Sequence, residues 1–437
     1  MNKPITVKKV KRMLILADWH GASTGFGTVT NNILPYIQAH YGKDLLIVMV
    51  AINYFGEEYT VGNLTVVSAK NYFVPEPQAA GEGQPMKVIE PDPFGRHSFL
   101  RILAIDEVGF DLCFIIQDLS IVSDLAVTMK EMKKYKQAQN KRNFKSLVYM
   151  PVDAKLTKAE LYNIDFFDTI VTYNEFSRNE IVRNRPELLK KVKKIPHGNS
   201  SKDFFPMPEQ EVAEFRKAYF GDNADKIIFA NINRNQPRKA IGETILAFIE
   251  AKKEWALERQ PFLYLHMMEK DPLMWGYDLK KIFAQTDLVE NVDYMIAPQE
   301  FFTKSNGAPI SLLRSIYNAV DICITTTTGE GWGLSVTEAF ACRKPVILPL
   351  NTSLIEISNN GQRAYGMTNM VPFINEFDHV IREQTDIYEC ADTMKGAAKN
   401  LLSGIDKPII DAAQRYVGTL TWKSVSDKFI AYFDELF

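Results

Sequence analysis

At 437 residues the chain is too long for one ordinary domain and suits two; its 46% apolar and 24% charged residues are those of a folded globular protein and exclude a disordered or fibrous one. The formal net charge of −2 hides a division: residues 1–200 hold 26 Lys+Arg against 21 Asp+Glu and the remainder 25 against 32, so the two halves are expected to handle different ligands. Cys113, Cys323, Cys342 and Cys390 have no paired spacing and read as core thiols, which argues against a zinc site or a disulfide framework. The basic start MNKPITVKKVKRM is followed only by the short Leu14–Ala17 run, so neither a leader nor a membrane span is expected and the protein is read as cytoplasmic.

Met13–Ala17 (MLILA) predicts the first strand of a buried parallel sheet. Gly21, Gly25 and Gly27 form a loop before Val29, Ile33 and Ile37 recur at helical spacing; as a phosphate signal this G-x-x-x-G-F-G turn is weak by itself. Leu45–Ile52 predicts a second strand, and residues 56–98, rich in Gly, Pro and acids, predict short strands and loops. Phe110–Ile116 ends in Gln117-Asp118, and Ser146–Met150 runs into Asp153. Open α/β sheets bind ligands at such carboxyl ends. Met129–Lys145 carries seven Lys/Arg and one Glu, which is a solvated helix face by default and otherwise a contact for an anionic acceptor or a membrane surface.

Phe166–Asn174 predicts a further strand, and Val192–Pro206 a connection. Lys226–Asn233 then opens a second sheet. Arg234, Arg238 and Lys239 follow it, before a helix marked by Ile241, Ile245 and Phe248; as a bare cluster these cations would be solvated, but a strand end is where they could clamp a diphosphate. Phe262–Met267 and Val292–Pro298 predict strands, with His266 a satisfied core residue. Ile310–Val320, Ala391–Leu402 and Trp422–Leu436 predict helices.

The organising stretch is Asp321–Pro349, DICITTTTGEGWGLSVTEAFACRKPVILP. Ile322, Ile324 and Thr325–Thr328 are β-branched and predict a buried strand ending at Gly329; Val336, Ala339 and Phe340 predict a helix; Val346–Leu350 predicts another strand. Three glycines in GEGWG let backbone amides approach an anion at a helix N-terminus. Glu330 and Glu338 bracket the turn, and carboxylates suit sugar or ribose hydroxyls.

The run from Glu330 to Val346, EGWGLSVTEAFACRKPV, resembles the E-G-F-G-L…E-A-M-A…G-x-P-V signature of retaining nucleotide-sugar glycosyltransferases of family 4. Trp332 stands for the usual Phe and Arg343 for a common Gly. S-T-G-F-G at 23–27, I-P-H-G at 195–198, the R…K element at Arg234 and Lys239, with Ala240 where Gly is frequent, and T-W-K-S-V at 421–425 extend the similarity over nearly the whole chain.

The resemblance implies an α/β protein of the GT-B kind, two Rossmann-like domains facing across a cleft: residues 1–203 for the acceptor, 204–418 for the nucleotide sugar, and a terminal helix, 419–437, crossing back to the first. It implies catalytic roles for Arg234, Lys239, Glu330 and Asp153, the last standing where the family often has His. It also implies donor binding by Gly25, Phe26, Gly27, Pro298, Gly331, Trp332, Gly333, Leu334, Ser335 and Glu338, and acceptor contacts by His20, Gln117 and Asp118. Arg238 lies outside the core pattern, and His20 is open to a structural role in its loop. No metal and no cofactor beyond the nucleoside-diphosphate sugar is expected, because no D-x-D is placed to carry Mg²⁺. The expected reaction is transfer to a hydroxyl acceptor with retention. Transfer onto nucleic acid bases through the basic first half, peripheral membrane contact, sugar-nucleotide binding without turnover, and a phosphorylase or epimerase on the same fold remain open.

Overall fold

The computed structural model describes residues 10–69, 92–139, 141–271, 275–303, 307–376 and 379–437, with the backbone of 72–73 and 89–90. The first half runs β1 (Lys11–Asp18), α1 (Gly25–Tyr41), β2 (Leu45–Ile52), β3 (Tyr59–Val61), β4 (Leu64–Ser68), the short pair β5 (Tyr72–Phe73) and β6 (Ile89–Glu90), α2 (Arg96–Ile105), β7 (Leu112–Ile116), α3 (Leu119–Ala138), β8 (Lys145–Met150), β9 (Thr169–Thr172), α4 (Glu175–Asn184) and β10 (Val192–Lys194). After α5 (Glu209–Phe220) come β11 (Ile227–Ile232), α6 (Ile241–Lys253), β12 (Pro261–His266), α7 (Leu279–Phe283), β13 (Tyr294–Ile296), α8 (Glu300–Thr303) and α9 (Ile310–Ala319). The chain continues through β14 (Ile322–Ile324), α10 (Leu334–Ala341), β15 (Val346–Pro349), α11 (Thr352–Ile357), β16 (Tyr365–Met367), a hairpin of β17 (Met370–Ile374) and β18 (Ile381–Thr385), α12 (Ile387–Ser403), α13 (Lys407–Gly418) and α14 (Trp422–Leu436).

Two large sheets result. The first has the order β10-β9-β8-β7-β1-β2-β4-β3 and the second β13-β12-β11-β14-β15-β16. All neighbours pair in parallel except β3 with β4. Helices cover both faces of a parallel sheet, so its strands must be apolar on both sides, and Met13–Ala17 is wholly buried as that requires. In each sheet the order reverses beside one central strand, at β1 with β7 and at β11 with β14. A crevice opens at the carboxyl ends there.

α14 returns to the first sheet. Phe429 lies 5.3 Å from Phe114 and 4.9 Å from Tyr149, ring centre to ring centre, and Phe433 lies 5.1 Å from Phe114. The Tyr41 hydroxyl on α1 donates to Asp434 at 2.9 Å. Among the described residues no helix is long and apolar enough to cross a membrane.

Three elements differ from expectation. β14 stops at Ile324 because the threonines behind it are recruited elsewhere: Thr326 Oγ1 donates to the Ala240 carbonyl at 2.7 Å, and the Thr328 amide to the Arg238 carbonyl at 2.9 Å. The basic segment is the second half of α3 and the loop beyond it, and its charges are largely spoken for. Lys133 and Lys145 both reach Asp168, at 3.5 and 3.3 Å, Lys134 pairs with Glu131 and Arg142 with Asp111. The helix expected over 391–402 starts earlier, at Ile387, where Asp386 caps it. Of the short strands and loops expected over 56–98, residues 70–71, 74–88 and 91 lie outside the described residues, as does the basic start 1–9.

Phe429→Ala should lower the free energy of unfolding by about 3–5 kcal/mol, because it empties a fully buried aromatic site between α14 and the first sheet. Urea unfolding measures this, and a loss under about 1 kcal/mol would contradict the packing described.

Candidate functional site

The carboxyl end of β11 carries Arg234, Arg238 and Lys239; that of the neighbouring β14 carries the GEGWG turn. Strand adjacency brings together residues some ninety positions apart in sequence. Lys239 Nζ donates to Glu330 Oε1, and both side chains are buried. Arg238 Nη1 donates to the Gly329 carbonyl at 2.6 Å and lies 3.3 Å from Glu330 Oε2. Burial alone would raise the Glu330 pKa, but the two cations hold it below the usual range. Arg234 is not part of this cluster: its Nε donates to Asp271 at 2.8 Å, and its side chain remains open to solvent.

The turn itself is clamped between the two halves. A Cβ on Gly329 would stand 1.9 Å from the Asp153 carbonyl oxygen and one on Gly331 2.5 Å from Pro151, so only glycine permits this approach of β8's following loop. Asn174 Nδ2 donates to the Gly331 carbonyl at 2.5 Å. Gly333 sits at φ 105°, in the left-handed region, as the N-cap of α10. The amides of Leu334 and Ser335 behind it donate no hydrogen bond among the described residues, which leaves them available to an anion. Trp332 is buried against His197, 5.6 Å between ring centres, and its indole N–H has no partner among the described residues.

Glu338 lies apart from Glu330, about one turn into α10. It accepts from the Tyr317 hydroxyl at 2.8 Å. Burial pushes its pKa up to about 7, with Tyr317 opposing and Asp203 adding to the rise. Glu338, Thr337 and Leu334 line one wall of a cavity of about 540 Å³ whose other walls are the first glycine loop, residues 20–25, and the connection around 198–204. Thr24 caps α1 by accepting from the Gly27 amide at 2.9 Å, which commits that amide; those of Gly25 and Phe26 donate nowhere among the described residues. Phe26 packs half-buried on the core, and Gly25 faces Leu334 across the cleft. His20 lines the cavity rather than capping the loop. Its Nε2 is 3.3 Å from the Tyr59 hydroxyl, and its buried Nδ1 has no partner among the described residues.

Along the first sheet, β1 ends in Asp18, and the segments after β7 and β8 carry Asp118 and Asp153. Asp18 is buried and held by Thr24 and by Asn53 at 3.1 Å. Gln117 is buried and accepts from the Asp118 amide at 3.1 Å. Asp118 is open at the crevice mouth, yet the surrounding protein desolvates its carboxyl and the Asp153 and Asp18 carboxylates repel it, raising its pKa to about 6. Asp153 faces Arg238 Nε at 3.1 Å and Arg382 at 3.5 Å. Pro298 follows β13 and does not line the cavity.

No family model matches the chain. A probable sucrose-phosphate synthase of Thermosipho melanesiensis is 25% identical over 221 residues, 49% of this chain and 44% of the relative, so the match spans less than half the length of that protein. The structure superposes on a glycosyltransferase from Rickettsia africae ESF-5 with a TM-score of 0.67 and 14% identity, covering 98% of each chain. It superposes on the catalytic domain of starch synthase IV from Arabidopsis thaliana bound to ADP and acarbose with a TM-score of 0.66 and 12% identity over 98% and 99% of the two chains. For Anabaena Alr3699/HepE in complex with UDP-glucose the values are 0.65 and 11%, over 97% and 99%. The fold is that of the GT-B glycosyltransferases.

Within this GT-B frame, the expected Lys239 and Glu330 meet and Arg238 joins them, while Arg234 and Glu338 stand to either side with their own partners. The cavity reaches Glu338 and the first glycine loop but not the Lys239–Glu330 pair. Asp18 and Arg382 were not anticipated. Asp18 could have been read as a strand-end acid like Asp118; Arg382 had no signal, because the hairpin that carries it lies far along the chain. Glu330→Leu should cost about 3–5 kcal/mol of stability by leaving a buried ammonium without its carboxylate, and Lys239→Met added to it should restore most of the loss. Urea unfolding of the three variants checks this, and an equal loss in single and double variants would contradict the pairing.

Proposed function

We propose that this chain is a glycosyltransferase that moves a sugar from a nucleoside-diphosphate donor to a hydroxyl acceptor with retention and without a metal ion. The observation that carries the reading is the meeting of Lys239, Arg238 and Glu330 beside the open amides of α10, at the point where the second sheet's strand order reverses. When the bond from the anomeric carbon to the diphosphate breaks, negative charge grows on a phosphate oxygen. Preorganised cations and amides stabilise that charge without reorganising. Lys239 and Arg234 would take this part, with the α10 amides and those of Gly25 and Phe26. Glu330 would orient the transferred sugar through its hydroxyls, and Glu338, on the cavity wall, would hold the ribose. Departure and attack on one face let the leaving phosphate oxygen accept the acceptor's proton, so no carboxylate nucleophile is needed. Complexes of the structural neighbours contain UDP-glucose and ADP, and UDP-glucose and ADP-glucose are therefore the first donors to try.

The acceptor would enter from the first sheet, past His20, Gln117 and Asp118. A nucleic acid or membrane acceptor draws little support from the basic segment, whose cations are mostly paired with acids on the same surface.

Lys239→Ala should lower kcat by about a hundredfold or more while thermal unfolding shows a folded protein, and excess chelator should leave the wild-type rate unchanged. Near-normal transfer by the variant would reject the role of Lys239; abolition by chelator would reject the metal-free mechanism.

Glu338 supplies a pH test. Its pKa, raised from 4.5 to about 7, means that the ionised carboxylate is disfavoured in the free protein, so its contribution to apo stability declines as pH rises through that interval. Ribose hydroxyls donate to the ionised form. Donor KM should therefore rise as pH falls below about 7, approaching tenfold per unit, and Glu338→Gln should flatten the profile. An unchanged profile in that variant would remove Glu338 from the donor site.

A further inference from the structure

We propose that Arg382, on the β17–β18 hairpin, is a positioning residue for the transfer, acting through Asp153 and Arg238 on the sugar-facing Glu330; this rests on the donor reading above. Among the described residues the hairpin pairs only with itself and leaves Val371, Ile374 and Ile381 exposed, yet it sends one buried guanidinium inward. Arg382 is 8% exposed, and a guanidinium is rarely buried unless its charge is met. Its Nη1 donates to the Asp153 carbonyl at 3.2 Å and its Nη2 faces Asp153 Oδ1 at 3.5 Å. The other Asp153 oxygen, Oδ2, takes Arg238 Nε at 3.1 Å. Arg238 in turn holds the Gly329 carbonyl and Glu330, and Glu330 holds Lys239.

The result is one alternating series of charges, Arg382, Asp153, Arg238, Glu330, Lys239, in which only Asp153 comes from the first sheet's half of the molecule. Asp153 is thus gripped from both sides by guanidiniums of the second half. On this proposal a carboxylate so engaged serves as a clamp between the halves, in place of the catalytic role that the resemblance implied for it. The hairpin is anchored for this purpose: Gln384 on β18 donates to Glu243 on α6, and Glu383 meets Lys155 of the first half at 3.3 Å. Removing Arg382 frees Asp153 on one side. Arg238 then loses its fixed partner, and Glu330 is held less accurately against the sugar.

The experiment is UDP release from UDP-glucose, and ADP release from ADP-glucose, by the full chain without acceptor, together with thermal unfolding of each variant. Arg382→Gln should lower kcat by about thirtyfold to a hundredfold with donor KM within threefold, since misplacing a catalytic group by an ångström costs rate more than binding. Asp153→Asn should do the same, and the double variant should be no slower than the slower single one, because all three changes break one series. Arg382→Lys, which keeps the charge but not the two-pronged grip, should stay folded and fall in between. Undiminished kcat in a folded Arg382→Gln protein, or multiplying losses in the double variant, overturns the proposal. If Arg382→Gln does not fold, wild-type kcat in Arg382→Lys overturns it instead. A wild-type protein inert toward both donors overturns the donor reading and this role together, whereas an active wild type with an unaffected Arg382 variant overturns this role alone.

Discussion

A carboxylate buried at the end of a parallel sheet is unstable unless cations meet it, and the arrangement of this molecule follows from how Glu330 is met. Its partners Arg238 and Lys239 stand on the loop after the adjacent strand, so their approach depends on β11 and β14 being neighbours. Desolvation of one charge costs several kcal/mol, and only close, hydrogen-bonded opposite charges offset it. The threonines that leave β14 early serve the same end, since Thr326 and Thr328 bind the Ala240 and Arg238 carbonyls and seat the cation-bearing turn.

The two ends of the crevice differ in physical character. Around Glu330 the halves touch closely, with glycine backbone against the Asp153 carbonyl and ions paired among themselves. Around Glu338 they part to leave a cavity walled by the first glycine loop and the connecting segment, large enough for a small-molecule ligand. A self-paired charge cluster keeps its members in place before a ligand arrives, and a ligand anion then competes for cations already oriented. An open, less polar pocket beside it selects by shape and by a few hydroxyl-binding groups. That division suits a donor with a charged diphosphate and an uncharged nucleoside.

Buried aromatic contacts connect this crevice to the far end of the chain. His197 is pushed to a pKa of about 3 by burial among Tyr149, Tyr173, Trp332 and Trp422, so it is a neutral ring in the core where the halves and α14 meet. Its Nδ1 is 2.6 Å from the Tyr149 hydroxyl.

Much of this was legible in one dimension. Continuous apolar runs such as Leu45–Ile52 and Ser146–Met150 announced parallel strands, because burial on both faces leaves little room for polar residues, and the glycines after Met13–Ala17 and after Thr325–Thr328 marked where backbone comes close to something else. Lys239, Glu330 and Glu338 stood out only through the family resemblance, since bare cations and acids at those spacings would be read as solvated. Sequence could not say that Glu330 would be paired inside the protein while Glu338 faces a cavity, nor that Arg234 would turn to Asp271, since each depends on which strands become neighbours. Asp153 was placed correctly at a strand end, but its partners were decided in three dimensions, by Arg238 and by an arginine on a hairpin more than two hundred residues away. Local pattern reports which side chains reach a surface or an edge; only the packing of the two halves determines which opposite charges are left facing one another out of water.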